Sequence, residues 1–132
     1  VKTAQQVRDM LRLAAGPGGT APKAQALGYS VGGKTGTAEK PSEGRYAKHS
    51  IVATFAAAFP MDAPRYVVIA MLDEPKGSAE SHGLRTAAWT AAPVVARVVA
   101  RAGPMLGIFP DADRDIDTSE LTPLLWKAKG ER

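Results

Sequence analysis

The chain has 132 residues, with 17 Lys and Arg against 13 Asp and Glu, and no cysteine. Hydrophobic residues at 45% and charged residues at 23% are the proportions of a folded domain, which excludes wholesale disorder, and the length suits one domain. The lack of cysteine excludes disulfides, thiolate metal sites and a cysteine nucleophile, and no run approaches the roughly 18 apolar residues of a membrane span.

Residues 3–15 read as a helix. Thr3 and Gln6 have the spacing of a capping box, and Val7, Met10, Leu11 and Ala14 share one face. Gly16-Pro17-Gly18-Gly19 stops it. Residues 20–27 have no period, and Pro22 argues against regular structure there. Three strands are predicted next, over 29–39, 49–59 and 65–72, separated by turns at 41–44 and 60–64. The second and third are apolar on both faces, so the sheet needs cover on both sides. Connections of about five residues favour antiparallel hairpins over parallel crossovers.

A polar loop follows over 75–83. A second helix is predicted over 84–102, packing through Trp89, Val95, Val98 and Val99 and ended by Gly103-Pro104. Pro93 must lie in its first turn or kink it. After Pro110 the composition shifts to Asp111, Asp113, Asp115 and Asp117. The fold class is α+β, an antiparallel three-stranded sheet flanked by helices. Residues 1–109 form its body and 110–132 an acidic-then-basic tail. Two helices barely cover such a sheet. The sequence also opens at Val1, already inside a helical pattern. Both features suggest a piece of something longer.

The segment GYSVGGKT, residues 28–35, matches the phosphate-binding loop of nucleotide enzymes. Asp73-Glu74 at a strand end is a place to hold magnesium. That loop needs a strand before it and a helix after it. Residues 22–27 read as no strand, and Gly36, Thr37 and Pro41 admit no helix. A phosphate-loop enzyme is therefore the runner-up.

The same segment contains Lys34-Thr35-Gly36-Thr37, a Lys-Thr-Gly box. Gly18-Gly19-Thr20 precedes it, and Tyr29, Val31 and Gly33 lead into it. His49, Phe59-Pro60, Pro64-Arg65, Asp73-Glu74-Pro75 and Ala91-Ala92-Pro93-Val94 follow. Over about residues 3–109 this string resembles the C-terminal part of the transpeptidase domain of class B penicillin-binding proteins, and most of all the division-specific enzymes. The fold implied is a partial penicillin-binding protein/β-lactamase-like transpeptidase fold.

The resemblance implies that the Lys-Thr-Gly strand forms one wall of an active site, with substrate peptide along its edge. Lys34 and Thr37 would be catalytic. Lys34 would supply fixed positive charge and favour proton movement, and the Thr37 backbone N–H would be an oxyanion donor. Thr35, Gly36 and Thr37 would bind substrate, the two hydroxyls donating to its carboxylate and Gly36 leaving room for the acyl group. Strand alternation puts Lys34 and Gly36 on one face and Thr35 and Thr37 on the other. Both pairs reach one ligand only at a sheet edge.

The parent protein would cross-link peptidoglycan stem peptides ending in D-Ala-D-Ala through an acyl-serine intermediate. β-Lactam antibiotics would be ligands and divisome proteins its partners. It would be anchored in the inner membrane with this domain in the periplasm. No metal and no organic cofactor is expected. The six serines are Ser30, Ser42, Ser50, Ser78, Ser81 and Ser119, and none has Lys three residues on. The chain has no asparagine, so Ser-x-Asn is impossible. The Ser-x-x-Lys and Ser-x-Asn boxes are absent, and the chain by itself should be inactive. A module that only grips cell-wall peptide is a further alternative.

The remaining features read as structural. His49 and His82 are too few for a histidine metal site, and Asp73-Glu74-Pro75 reads as a strand end and turn. Residues 111–122 alternate acids as a calcium loop does, but Ile116 stands where Gly belongs and Thr122 where Glu belongs. A solvated tail is the better reading, with Leu121, Leu124, Leu125 and Trp126 able to dock it on the domain or on a partner. The mild basic excess suits anionic partners. No dense Lys/Arg cluster with interleaved aromatics supports nucleic-acid binding. An uncovered sheet face would favour dimerisation or exchange of elements.

Overall fold

Helix α1 (Lys2–Ala15) leads into strands β1 (Gly32–Ser42), β2 (Arg45–Phe59) and β3 (Tyr66–Asp73), then helix α2 (Ala91–Met105). Single 3-10 turns occupy Pro22–Ala24 and Thr122–Leu124. The structure is a computed structural model and describes residues 1–42 and 45–125, with the side chains of 42–49 excluded. The sheet has the order β1-β2-β3 and is antiparallel throughout, as the short connections require.

Phe55 stands at the centre of the sheet, opposite Thr35 on β1 and Ala70 on β3. It shares a buried face with Ala53, Ala57 and Phe59, against which Tyr66, Val68, Ala70 and Leu72 pack. Val95 and Val99 of α2 close that face. The other face is left open along β3, where Val67, Ile69 and Met71 are 71%, 62% and 66% exposed. Cover on both sides is thus predicted, and within the described residues only one side of β3 has it.

The strands are longer than predicted towards the β1–β2 tip, because pairing continues from Glu39 to Ser42 through a register irregularity. Pro41 has no N–H for the ladder, which accounts for the break in register. Residues 43 and 44 of the predicted turn lie outside the described residues. β1 begins at Gly32 rather than at 29. Gly28 turns the chain at φ 78°, and Tyr29 N–H donates back to Ala26 O at 2.9 Å.

Helix α2 begins at Ala91, not at 84. Pro93 fits a helix only in its first turn, so the helix must start just before it. Residues 84–90 form turns instead, with Thr90 Oγ1 donating to Thr86 O at 3.0 Å. The helix also runs through Gly103-Pro104 to Met105. Gly103 is a packing residue rather than a stop, since a Cβ there would lie 2.5 Å from Tyr29 Oη. The end comes at Gly107, in the left-handed region at φ 73°, with Ile108 N–H closing on Gly103 O at 2.9 Å. Trp89 therefore precedes the helix, with the Lys23 ammonium 4.6 Å from its ring centre and His82 edge-on at 5.5 Å.

Helix α1 has no capping box. It starts at Lys2 behind Val1, and no side chain caps it. Thr3 lies within the first turn, so its hydroxyl is not at the capping position. Of the predicted apolar face, Val7 and Met10 stay 45% and 51% exposed. The helix is held at its C-terminal end, where Arg12 and Met61 close on Gly32.

The segment after Pro110 docks on this end of the molecule. Asp111 N–H donates to Gly28 O at 2.7 Å. Arg12 Nε donates to both Asp115 oxygens, at 2.8 and 3.0 Å. The Arg114 guanidinium pairs with Asp62. Leu125 lies against Gly18, whereas Leu124 points outward. Trp126 lies outside the described residues. Burial by itself raises the Asp115 carboxyl, but bonds from Arg12 and the Ile116 N–H outweigh it and hold the group below the usual range. A depressed folded pKa stabilises above the unfolded value of about 3.9 and stops doing so as pH falls through the folded value. The docked segment is expected to hold unchanged down to about pH 4 and to loosen below it. Amide exchange across 111–116 from pH 6 to 2.5, corrected for intrinsic rates, measures this.

Candidate active site

Strand β1 has β2 on one side and no strand on the other among the described residues. Its free edge carries the predicted box. Register places Lys34 opposite Ala56 and Gly36 opposite Thr54, while Thr35 and Thr37 stand opposite Phe55 and Ala53. Lys34 and Gly36 therefore share the open face, and the threonines share the face towards the core, as alternation demands. The separation is bridged at the edge. Lys34 Nζ folds along the strand, donating to Thr35 O at 2.8 Å and approaching Thr35 Oγ1 at 3.4 Å. A cation from one face and a hydroxyl from the other thus meet at one exposed position.

Thr37 is anchored from behind. Ala87 N–H, in the turns that precede α2, donates to Thr37 Oγ1 at 3.3 Å. A hydroxyl that accepts one bond still has its own proton to donate. No spacing signals this contact, because residue 87 reads as the interior of a helix, where its N–H would be used.

The two glycines of the box differ in what they do. A Cβ at Gly33 would meet Ala56 O at 2.6 Å and the Phe55 ring at 2.7 Å. Internal packing demands glycine there. A Cβ at Gly36 would have Thr54 O at 3.8 Å as its only neighbour within 4 Å among the described residues, and its φ is not left-handed. Nothing within the described residues demands glycine at 36. Its bareness keeps the strand surface open beside Lys34.

The far end of the sheet is closed by a charged clasp. Lys40 Nζ donates to Asp73 Oδ1 at 2.8 Å and to Glu74 Oε1 at 3.1 Å, and the Ser50 hydroxyl bonds Glu74. The hydrogen bonds to Asp73 and Glu74 raise the Lys40 pKa. Those from Ser50 and Lys40 hold the Glu74 carboxyl below its usual range. Asp73-Glu74 is thus a strand end tied to β1, with Glu74 in the left-handed region at φ 49°. No group of three or more metal-ligating side chains occurs among the described residues. The phosphate-loop reading fails on geometry. Gly28 follows a 3-10 turn and lies within an isolated bridge between Ala26 and Tyr29 rather than after a strand, and Lys34 and Thr35 lie inside a strand that leads into another strand. His82 packs on Trp89. The side chain of His49 lies outside the described residues. Of the serines, Ser30 Oγ accepts from Met61 N–H at 2.9 Å, and Ser81 Oγ accepts from Ser78 N–H at 2.9 Å.

Residues 1–96 match the family model described as the penicillin-binding protein transpeptidase domain. The probable peptidoglycan D,D-transpeptidase FtsI of Caulobacter vibrioides is 50% identical over 99 residues, covering 70% of this chain and 17% of that protein. Stage V sporulation protein D of Bacillus subtilis is 36% identical over 109 residues, covering 83% of this chain and 16% of that protein. Among solved structures, the transpeptidase domain of Burkholderia pseudomallei penicillin-binding protein 3 superposes with a TM-score of 0.68 at 35% identity, covering 83% of this chain and 31% of that one. Penicillin-binding protein 3 of Mycobacterium tuberculosis, complexed with ampicillin, gives 0.67 at 34% identity, covering 83% and 25%. The chain spans about a sixth of the length of the curated relatives it matches.

Proposed function

The chain belongs to the penicillin-binding protein transpeptidase family, and from that premise we propose that it supplies the Lys-Thr-Gly wall of a serine D,D-transpeptidase acting in cell-wall cross-linking at division. The carrying observation is the bare, open strand at Gly36 beside the Lys34 ammonium on a free sheet edge.

A stem peptide ending in D-Ala-D-Ala lies along that edge as an added strand, backbone bonds giving affinity. Lys34 supplies positive charge, and the Thr35 and Thr37 hydroxyls donate to the terminal carboxylate. A serine hydroxyl from a Ser-x-x-Lys box in the rest of the protein attacks the penultimate D-Ala carbonyl. The oxyanion is received by the Thr37 N–H, D-Ala leaves with a proton, and an acyl-serine ester remains. An amine of a second stem peptide then attacks the ester, forming the cross-link and returning the serine. A β-lactam enters the same place, its carboxylate taking the position of the peptide's. Residues 1–109 belong to that domain and 110–132 are its C-terminal extension. The periplasmic side of the inner membrane is the site of action, and divisome proteins are the expected partners. The exposed stripe of Val67, Ile69 and Met71 makes self-association of the isolated chain the expected behaviour.

The experiment is gel labelling with a fluorescent penicillin of the full-length protein carrying this sequence and of the 132-residue chain alone. A covalent band in the former and none in the latter is expected. A full-length protein that never labels overturns the acyl-enzyme reading and leaves a peptide-binding module. Label on the chain alone means that its nucleophile lies within these residues.

A further inference from the structure

We infer that the segment after Pro110 is a strap that positions β1, acting through Arg12. This rests on the reading of β1 as a site wall, but it concerns a part of the chain beyond the family match, which ends at residue 96.

Arg12 is the junction. Its side chain is only 13% exposed. Its Nη1 donates to Val31 O at 3.2 Å and to Gln25 Oε1 at 3.3 Å, while Nε donates to both oxygens of Asp115. One guanidinium thus binds α1, the segment leading into the box and the strap together. Val31 stands three residues before Lys34, and a Cβ at Gly32 between them would lie 3.0 Å from Arg12 N. The strap is fitted to the body at a second place. Arg114, next to Asp115, pairs with Asp62 in the β2–β3 turn, and Arg8 Nη1 reaches Asp62 O at 3.5 Å. Neighbouring residues of opposite sign insert between an arginine and an aspartate of the body, which fixes both register and direction. Shape agrees with charge, because a Cβ at Gly28 would lie 2.6 Å from Pro110 Cβ. The body is hollowed at Gly28 where the strap crosses it.

The physical consequence concerns Arg12. A nearly buried guanidinium that loses its carboxylate is left with an uncompensated charge. It recovers hydration by swinging outward, and in doing so releases Val31 O. The backbone before Lys34 then loses a charge-assisted bond. Arg12 and Asp115 are positioning residues, and neither touches substrate.

The test uses the full-length protein with three kinds of variant: a stop after Pro110, Asp115→Asn, and Asp62→Arg with Arg114→Asp, singly and together. Two quantities are read, the acylation rate by fluorescent penicillin at saturation and amide exchange over residues 29–36. The stop and Asp115→Asn are each expected to slow acylation about tenfold and to speed exchange in that segment by a similar factor, the low end of the scale of one charge-assisted bond. The single charge changes are expected to do the same, and the double swap to restore both. Unchanged exchange over 29–36 in the stop variant overturns the inference, even where the melting temperature falls, because the segment then anchors without positioning. A double swap no better than either single change also overturns it. If the wild type does not label at all, the function proposed above fails. Exchange over 29–36 still decides the strap.

Discussion

Lys34→Ala in the full-length protein is expected to slow penicillin acylation about 10²- to 10³-fold, the range lost when one preorganised charge or donor is removed from a transition state. The substitution deletes the ammonium that donates to Thr35 O and approaches its hydroxyl. Little else should change. Lys34 is exposed, and its open face carries Gly36 and Ala38 as strand neighbours, so unfolding stability should stay within about 0.5 kcal/mol of wild type. Stopped-flow labelling paired with urea unfolding separates the two effects. A rate within threefold of wild type at unchanged stability, on the tenfold-per-1.4 kcal/mol scale, removes Lys34 from the catalytic machinery.

Phe55→Ala is expected to cost about 3–5 kcal/mol, a large share of the roughly 5–15 kcal/mol that holds a domain together. Phe55 is fully buried at the middle of the central strand. Its ring also fills the space that a side chain at Gly33 would need. Truncation therefore opens a cavity and removes the surface on which β1 lies. Because Thr35 is its direct partner across the ladder, the damage reaches the site wall. Urea unfolding of the 132-residue chain, wild type against variant, measures the loss. A change below about 1 kcal/mol would show that the sheet collapses readily around the gap and that β1 does not depend on this ring.

Local patterns determined the elements whose signals are local. Short connections named the antiparallel order, and alternation named the faces of Lys34 and Thr35. Pro93 marks the start of α2, but the apolar pattern running back to Leu84 masks it. A helical period extends easily into turns that bury the same residues, such as Ala87. Gly103-Pro104 looked like a stop because a sequence does not reveal that Tyr29 occupies the space above residue 103. The contacts that shape the site were illegible for the same reason. Thr37 with Ala87 is separated by 50 residues, and Arg12 with Asp115 by 103. Neither pair has a spacing rule. Asp115 reads as solvated along with Asp111, Asp113 and Asp117 because its basic partner, Arg12, stands at the opposite end of the chain. On α1 the apolar period was real, but the described residues leave Val7 and Met10 without cover.

That last stretch and the first helix hold each other, and this bears on the order in which the molecule assembles. The β2–β3 hairpin closes a short turn, and α2 follows it within a few tens of residues. α1 reaches Gln25 and Val31 across only 13 and 19 positions, whereas the segment after Pro110 reaches Arg12 across 103. Loop-closure entropy grows with span, and contacts of long range are slow to form. The sheet and the two helices are therefore expected to assemble first, and the segment after Pro110 to close last over α1 and the β2–β3 turn.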